Sequence, residues 1–105
     1  MDNKEKLLTR IKTTVKQTDP DAVLILYGSY ARGDFTEKSD IDLLILIDQQ
    51  EVSRKDQKRI KYPLYDLEFE TGILISPLVL SKQDWHTKHR QTPFYENISL
   101  EGQVL

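Results

Sequence analysis

Gly28-Ser29-Tyr30-Ala31-Arg32-Gly33-Asp34-Phe35-Thr36-Glu37-Lys38-Ser39-Asp40-Ile41-Asp42 lies between two apolar runs. Before it, Ala22-Val23-Leu24-Ile25-Leu26-Tyr27 has the length of a strand and stops at Gly28. After its start, Asp40 to Asp48 reads as a second strand, whose middle, Leu43-Leu44-Ile45-Leu46-Ile47, is apolar at every position. A strand apolar on both faces belongs inside a sheet that is covered on both sides. Between the two strands, residues 29–33 predict a tight turn or one helical turn closed by Gly33. Residues 34–39 predict a polar loop.

Working outward, Leu7, Leu8, Ile11 and Val15 recur at helical spacing and predict an amphipathic helix over 3–17, stopped by Asp19-Pro20-Asp21. On the other side, Gln49-Gln50-Glu51 makes a turn. Residues 52–71 suit an amphipathic helix that Pro63 should kink or split and Gly72 should end. A rival pattern exists at 64–70, where Tyr65, Leu67 and Phe69 alternate with Asp66, Glu68 and Glu70 as in a strand; helix is preferred because Gly72 then serves as its stop. Ile73 to Ser81 predicts a third strand, with Pro77 marking an edge or a bulge. Thr92-Pro93 predicts an N-cap and first-turn proline for a last helix over 93–101, ended by Gly102. The expected fold is α/β (α+β): one small mixed sheet with helices packed on it.

A chain of 105 residues fits one domain, 1–105, and leaves no room for a separate substrate-binding domain. A large substrate must then dock on the surface or be shared with a partner chain. A net charge of −2 gives no basic field, so strong nucleic-acid binding is not expected. With no cysteine, disulfides and thiolate metal sites are excluded, in keeping with a cytoplasmic location. No apolar run approaches the roughly 18 residues of a membrane span. The charged N-terminus, Met1-Asp2-Asn3-Lys4-Glu5-Lys6, lacks the apolar stretch of a secretory signal.

The chemistry concentrates in the opening stretch. Asp40 and Asp42 are two apart at the start of a strand, so their side chains leave one face. Two carboxylates held close repel each other when ionised, and a divalent cation relieves that repulsion. Mg²⁺ suits such a pair, because it takes a few carboxylate oxygens, several waters and substrate phosphates; two ions can share such a site. Gly28, lacking Cβ, lets backbone approach a phosphate, and Ser29 adds a hydroxyl and an N–H at the head of a turn. Arg32 and Lys38 flank this region and can pair with phosphate.

Gly-Ser, ten residues, then Asp-x-Asp resembles the signature of the DNA polymerase beta-type nucleotidyltransferase superfamily. Ala31-Arg32-Gly33 and Ser39-Asp40-Ile41-Asp42-Leu43-Leu44 resemble its minimal nucleotidyltransferase branch. The resemblance implies an enzyme that moves a nucleoside monophosphate from an NTP, taken here as ATP, to an acceptor hydroxyl, with Mg²⁺ as cofactor. It implies Asp40 and Asp42 as catalytic metal ligands and Gly28, Ser29, Arg32 and Ser39 as nucleotide-binding residues. It also implies a HEPN-type helical protein as partner, in a toxin–antitoxin-like pair, with a catalytically weak antitoxin-like binding module as the alternative. A homodimer is a further expectation for so small a domain. The superfamily commonly carries a third acidic residue on a later strand. The third strand here has none: Ser76 stands where it would fall, Asp66, Glu68 or Glu70 could serve only if 64–70 is a strand, and Asp84 comes late.

The remaining candidates have plainer readings. Asp48 shares a strand face with Asp42 but lies about 20 Å away at strand rise, which suits a turn residue. His86 and His89 are three apart, with no evident third metal ligand. Trp85 reads as a packing residue, and the Arg54–Arg59 run as a solvated helix face. Phe94, Tyr95, Ile98 and Leu100 read as core packing or, if exposed, a partner patch.

Overall fold

The computed structural model describes residues 3–105. The chain runs α1 (Asn3–Thr18), β1 (Val23–Tyr27), α2 (Ser29–Arg32), β2 (Ile41–Ile47), α3 (Arg54–Thr71), β3 (Ile75–Ser81), α4 (Lys82–His86), α5 (Pro93–Glu101) and β4 (Gln103–Val104). The four strands form one mixed sheet in the order β3-β2-β1-β4. β1 pairs antiparallel with β2 and β4, and β2 pairs parallel with β3. This is the expected small α/β fold, with β2 and β1 in its interior.

Strand periodicity divides the core. Leu24 and Leu26 of β1, with Ile41, Leu43, Ile45 and Ile47 of β2, pack beneath α1 and α3, where Leu7, Ile11, Val15, Ile60, Leu64 and Leu67 meet them. Leu44 and Leu46 point the other way and join Trp85 of α4 and Ile98 of α5. The unbroken apolar run of β2 thus serves two half-cores. Burying one such Leu or Ile side chain stabilises the fold by roughly 1.5–3 kcal/mol.

Ser53 and Asp56 form a reciprocal capping box at the start of α3, and Gly72, at φ 75°, closes it by donating to Glu68 O at 2.9 Å. Pro63 does not split this element. α3 is one helix of 18 residues, and the apolar stripe through Ile60, Leu64 and Leu67 holds it to the sheet across the missing amide. The period-two pattern at 64–70 is correspondingly not a strand: Leu64 and Leu67 face the core while Tyr65 and Phe69 face outward.

Pro77 sits on an edge, as its missing N–H requires. Ile41 N donates to Leu74 O at 2.9 Å, so residues 75, 77 and 79 direct their main-chain groups away from β2. Ile75 N donates to Glu68 Oε2 at 2.9 Å, residue 77 has no N–H, and Val79 O accepts from Gln57 Nε2 at 3.4 Å. The outer edge of β3 is blocked by these three devices. Two elements depart from expectation. α4 follows β3 directly, capped by Ser81 on Asp84 N, and β4 adds a short edge strand beside β1.

Candidate functional site

The site gathers where β1 ends and β2 begins. Tyr27, the last residue of β1, pairs with Asp42, and Asp42 pairs on its other side with Ser76 of β3. Directly paired residues share a sheet face. Tyr27, Asp42 and Ser76 therefore form a row on the face opposite α1 and α3. Asp40, one step before β2, joins this row through Ser76, whose Oγ hydroxyl donates to Asp40 Oδ2 at 3.3 Å.

After Tyr27 the backbone turns through Gly28 at φ 74° and ψ −156°, a conformation that favours glycine. A Cβ on Gly28 would collide with Asp42 Oδ2. The chain then enters the single turn of α2, where Ala31 N and Arg32 N both donate to Gly28 O at 3.1 and 3.0 Å. Gly33 closes it at φ 85°. Gly28 is thus packed directly against Asp42.

The electrostatics of the pair follow from this packing. The Asp42 carboxyl is held above its ordinary range, first by partial burial and then by the charge of Asp40, with Arg32 acting in the opposite sense. Burial and the neighbouring Asp42 likewise push the Tyr27 hydroxyl up. Two carboxylates with one partly desolvated form a donor set that suits Mg²⁺, which takes one or two carboxylates and fills its remaining positions with water and phosphate oxygens. Among the described residues, no group of three His, Cys, Asp or Glu side chains is arranged to hold a metal. A metal here would rest on Asp40 and Asp42.

Arg32 reaches Asp34 at 3.3 Å and Glu101 at 3.5 Å on the exposed rim. Ser39 Oγ accepts from Thr36 N at 2.8 Å, so this side chain holds the loop before Asp40 in shape. Lys38 lies exposed in the same loop. Other candidates lie elsewhere. Asp66, Glu68 and Glu70 are on α3, with Glu68 on the Ile75 amide and Glu70 paired to Arg10. Asp84 follows the far end of β3, where it pairs with Lys88 at 3.6 Å, and Asp48 follows the far end of β2. His86 approaches Tyr95 Oη at 3.3 Å while His89 stacks on Trp85. Trp85 and Ile98 are buried, but Leu100 is exposed.

Two neighbours of the site escaped sequence reasoning. Tyr27 looked like the end of an apolar strand, and only its register with Asp42 sets it beside the carboxylates. Phe94, from α5, meets Tyr27 edge-on at 5.3 Å between ring centroids. A loop of more than ten residues does not fix the register of the strands it joins, so no local signal announced these contacts.

The nucleotidyltransferase domain model matches residues 8–86, which include the whole site. One candidate protein adenylyltransferase of Methanocaldococcus jannaschii is 32% identical over 108 residues, covering 98% of each chain. A second from the same organism is 47% identical over 60 residues, covering 56% of this chain and 59% of its own length, so the chain spans less than two thirds of that relative. The crystal structure of a candidate nucleotidyltransferase from Sulfolobus solfataricus superposes with a TM-score of 0.59 at 23% identity, covering 94% of this chain and 76% of that one, and shares the fold. Among the described residues, no helix is long and apolar enough to cross a membrane. By the extent of the family match and the near end-to-end alignment with one relative, this chain belongs to the nucleotidyltransferase family of the DNA polymerase beta superfamily.

Proposed function

We propose that this chain transfers a nucleoside monophosphate from an NTP, with ATP as the first choice, to a hydroxyl group on a protein. The observation that carries the reading is the close packing of Gly28 against Asp42, which sets the turn after β1 beside the carboxylates at the start of β2. The protein acceptor draws its support from the relatives, two of which are named as candidate protein adenylyltransferases.

In the reaction, the acceptor oxygen attacks the α-phosphorus. A new P–O bond forms, the bond to the β-phosphate oxygen breaks, pyrophosphate leaves, and the hydroxyl proton departs to a base. Gly28 and Ser29 cradle the triphosphate, Arg32 offsets its charge, and Ser39 holds the loop that presents Asp40. Asp40 and Asp42 would hold Mg²⁺, and the ion would supply positive charge to offset that on the phosphate oxygens. The purified chain, incubated with α-labelled ATP, Mg²⁺ and cell extract, should label protein. Asp40→Asn with Asp42→Asn should abolish that label and leave the circular dichroism unchanged. Full label with the double variant would overturn the proposal.

A second reading has one observation in its favour. On β3 the residue beside Asp40 and Asp42 is Ser76 rather than an acid, and a hydroxyl neither balances a metal's charge nor takes a proton as a carboxylate does. On that reading the domain is a weak or inactive antitoxin-like binder of a HEPN-type helical protein. Mg²⁺-dependent ATP binding with no transfer to any acceptor would favour it.

A further inference from the structure

α3 carries two seams. Ile60, Leu64 and Leu67 are buried against the sheet. On the opposite side, Lys55, Lys58, Tyr62, Tyr65 and Phe69 follow one another at alternating spacings of three and four residues. That spacing keeps a stripe on one side of a helix and suits packing against a second helix. Tyr62, Tyr65 and Phe69 are 56%, 42% and 93% exposed, so the apolar half of this outer seam faces solvent.

The charges along α3 are unevenly placed. Its N-terminal half carries Lys55, Lys58 and Lys61, with Asp56 held in the capping box and Arg59 paired to it, and its C-terminal half carries Asp66, while Glu68 and Glu70 are taken up by Ile75 N and Arg10. Its last turn has no base, where a helix favours one. In an antiparallel helix of the same sequence, Asp66 of each copy faces Lys61 of the other, so the charges are complementary at both ends of the contact, and the two dipoles oppose.

We propose that a second copy of this chain docks on the outer seam of α3, antiparallel, about a two-fold axis near residues 63 and 64. The register follows from the stripe: Tyr62 of each copy meets Tyr65 of the other, and Lys58 meets the ring of Phe69. Such a contact is isologous and closes at the dimer. It leaves both catalytic ends open, because α3 covers the sheet face of Ile41 and Leu43 while Asp42 lies on the other.

The test is the mass of the intact chain by sedimentation and light scattering over a concentration series. The wild type should reach a dimer at low salt and dissociate as salt rises. Lys58→Glu with Lys61→Glu should be monomeric at concentrations where the wild type is dimeric, and so should Asp66→Lys. Mixing these two variants should restore a dimer, since each then offers the charge the other lacks. Because the natural chain has no cysteine, a Tyr62→Cys chain and a Tyr65→Cys chain should oxidise to a disulfide with each other in preference to themselves. A wild type monomeric at its highest soluble concentration, variants that dimerise alone, or cross-links that favour like positions would each overturn the proposal. A wild-type monomer that instead shifts in mass when a separate helical protein is added would assign the seam to that partner. The variants keep the site residues, so nucleotide transfer tests the function separately.

Discussion

At the residue scale, Gly28 and Asp42 constrain each other. Gly28→Ala introduces two faults, a side chain at φ 74° and a methyl carbon against Asp42 Oδ2. The backbone strain alone costs about 1–3 kcal/mol. The expected result is a lower midpoint in urea unfolding, together with loss of Mg²⁺-dependent nucleotide binding measured by calorimetry. Asp42 itself opposes folding when it is charged. Its carboxyl binds a proton more tightly folded than unfolded, so stability falls as pH rises from its ordinary value of 3.8 to its raised folded value, and stays lower at neutral pH. Asp42→Asn should therefore raise Tm at neutral pH in the absence of divalent ions, and the gain should vanish at pH below the ordinary carboxylate range. Mg²⁺ should raise the Tm of the natural chain and leave that of the variant unchanged. Equal Tm values at neutral pH would show that burial and Asp40 do not burden this carboxylate. Ser76→Asp tests the place of the missing acid: it should increase label transfer and lower Tm without metal, as three carboxylates then crowd one row.

At the element scale, β3 shows how an exposed edge is kept from pairing. Glu68 takes one outward amide, Pro77 removes the next, and Gln57 takes an outward carbonyl. Unpaired edges of this kind template aggregation when left open. Pro77→Val with Glu68→Ala restores two free donors on a strand of high β propensity. Light scattering should then show concentration-dependent aggregates that the natural chain does not form. α3 teaches a related lesson about proline. Pro63 is tolerated because the helix is bound along its length by core contacts, so tertiary packing overrode a local breaker.

For the molecule as a whole, the C-terminal segment ties the site to the rest of the fold. Gly102 passes so close to α5 and β1 that a Cβ would lie 2.6 Å from Ile98 O and 2.8 Å from Ile25 Cγ2. Its φ of −68° is ordinary, so the constraint is space alone. Beyond it, β4 pairs with Ile25 and Leu26, Gln103 Nε2 donates to Ala31 O at 2.9 Å, and Glu101 reaches Arg32. Gly102→Ala should displace this segment and destabilise the chain by about 1–3 kcal/mol, as overpacking does. A larger relative loss of nucleotide affinity than of stability would reveal how far α2 depends on it; unchanged unfolding would show that the closure is soft.

The local sequence determined the three long strands, the two long helices, the glycine stops at 33 and 72 and the turn at Gly28, because hydrophobic period and backbone freedom act over a few residues. It also singled out Gly28 and Asp42, through the spacing of Gly28-Ser29 and Asp40-Ile41-Asp42, and the fold packs these two together. The continuity of α3 through Pro63, the addition of β4, the strand register and the arrival of Tyr27, Ser76 and Phe94 around Asp42 were decided by tertiary structure. Those features depend on which apolar faces bury one another across the chain, and that energy has no counterpart within any single segment.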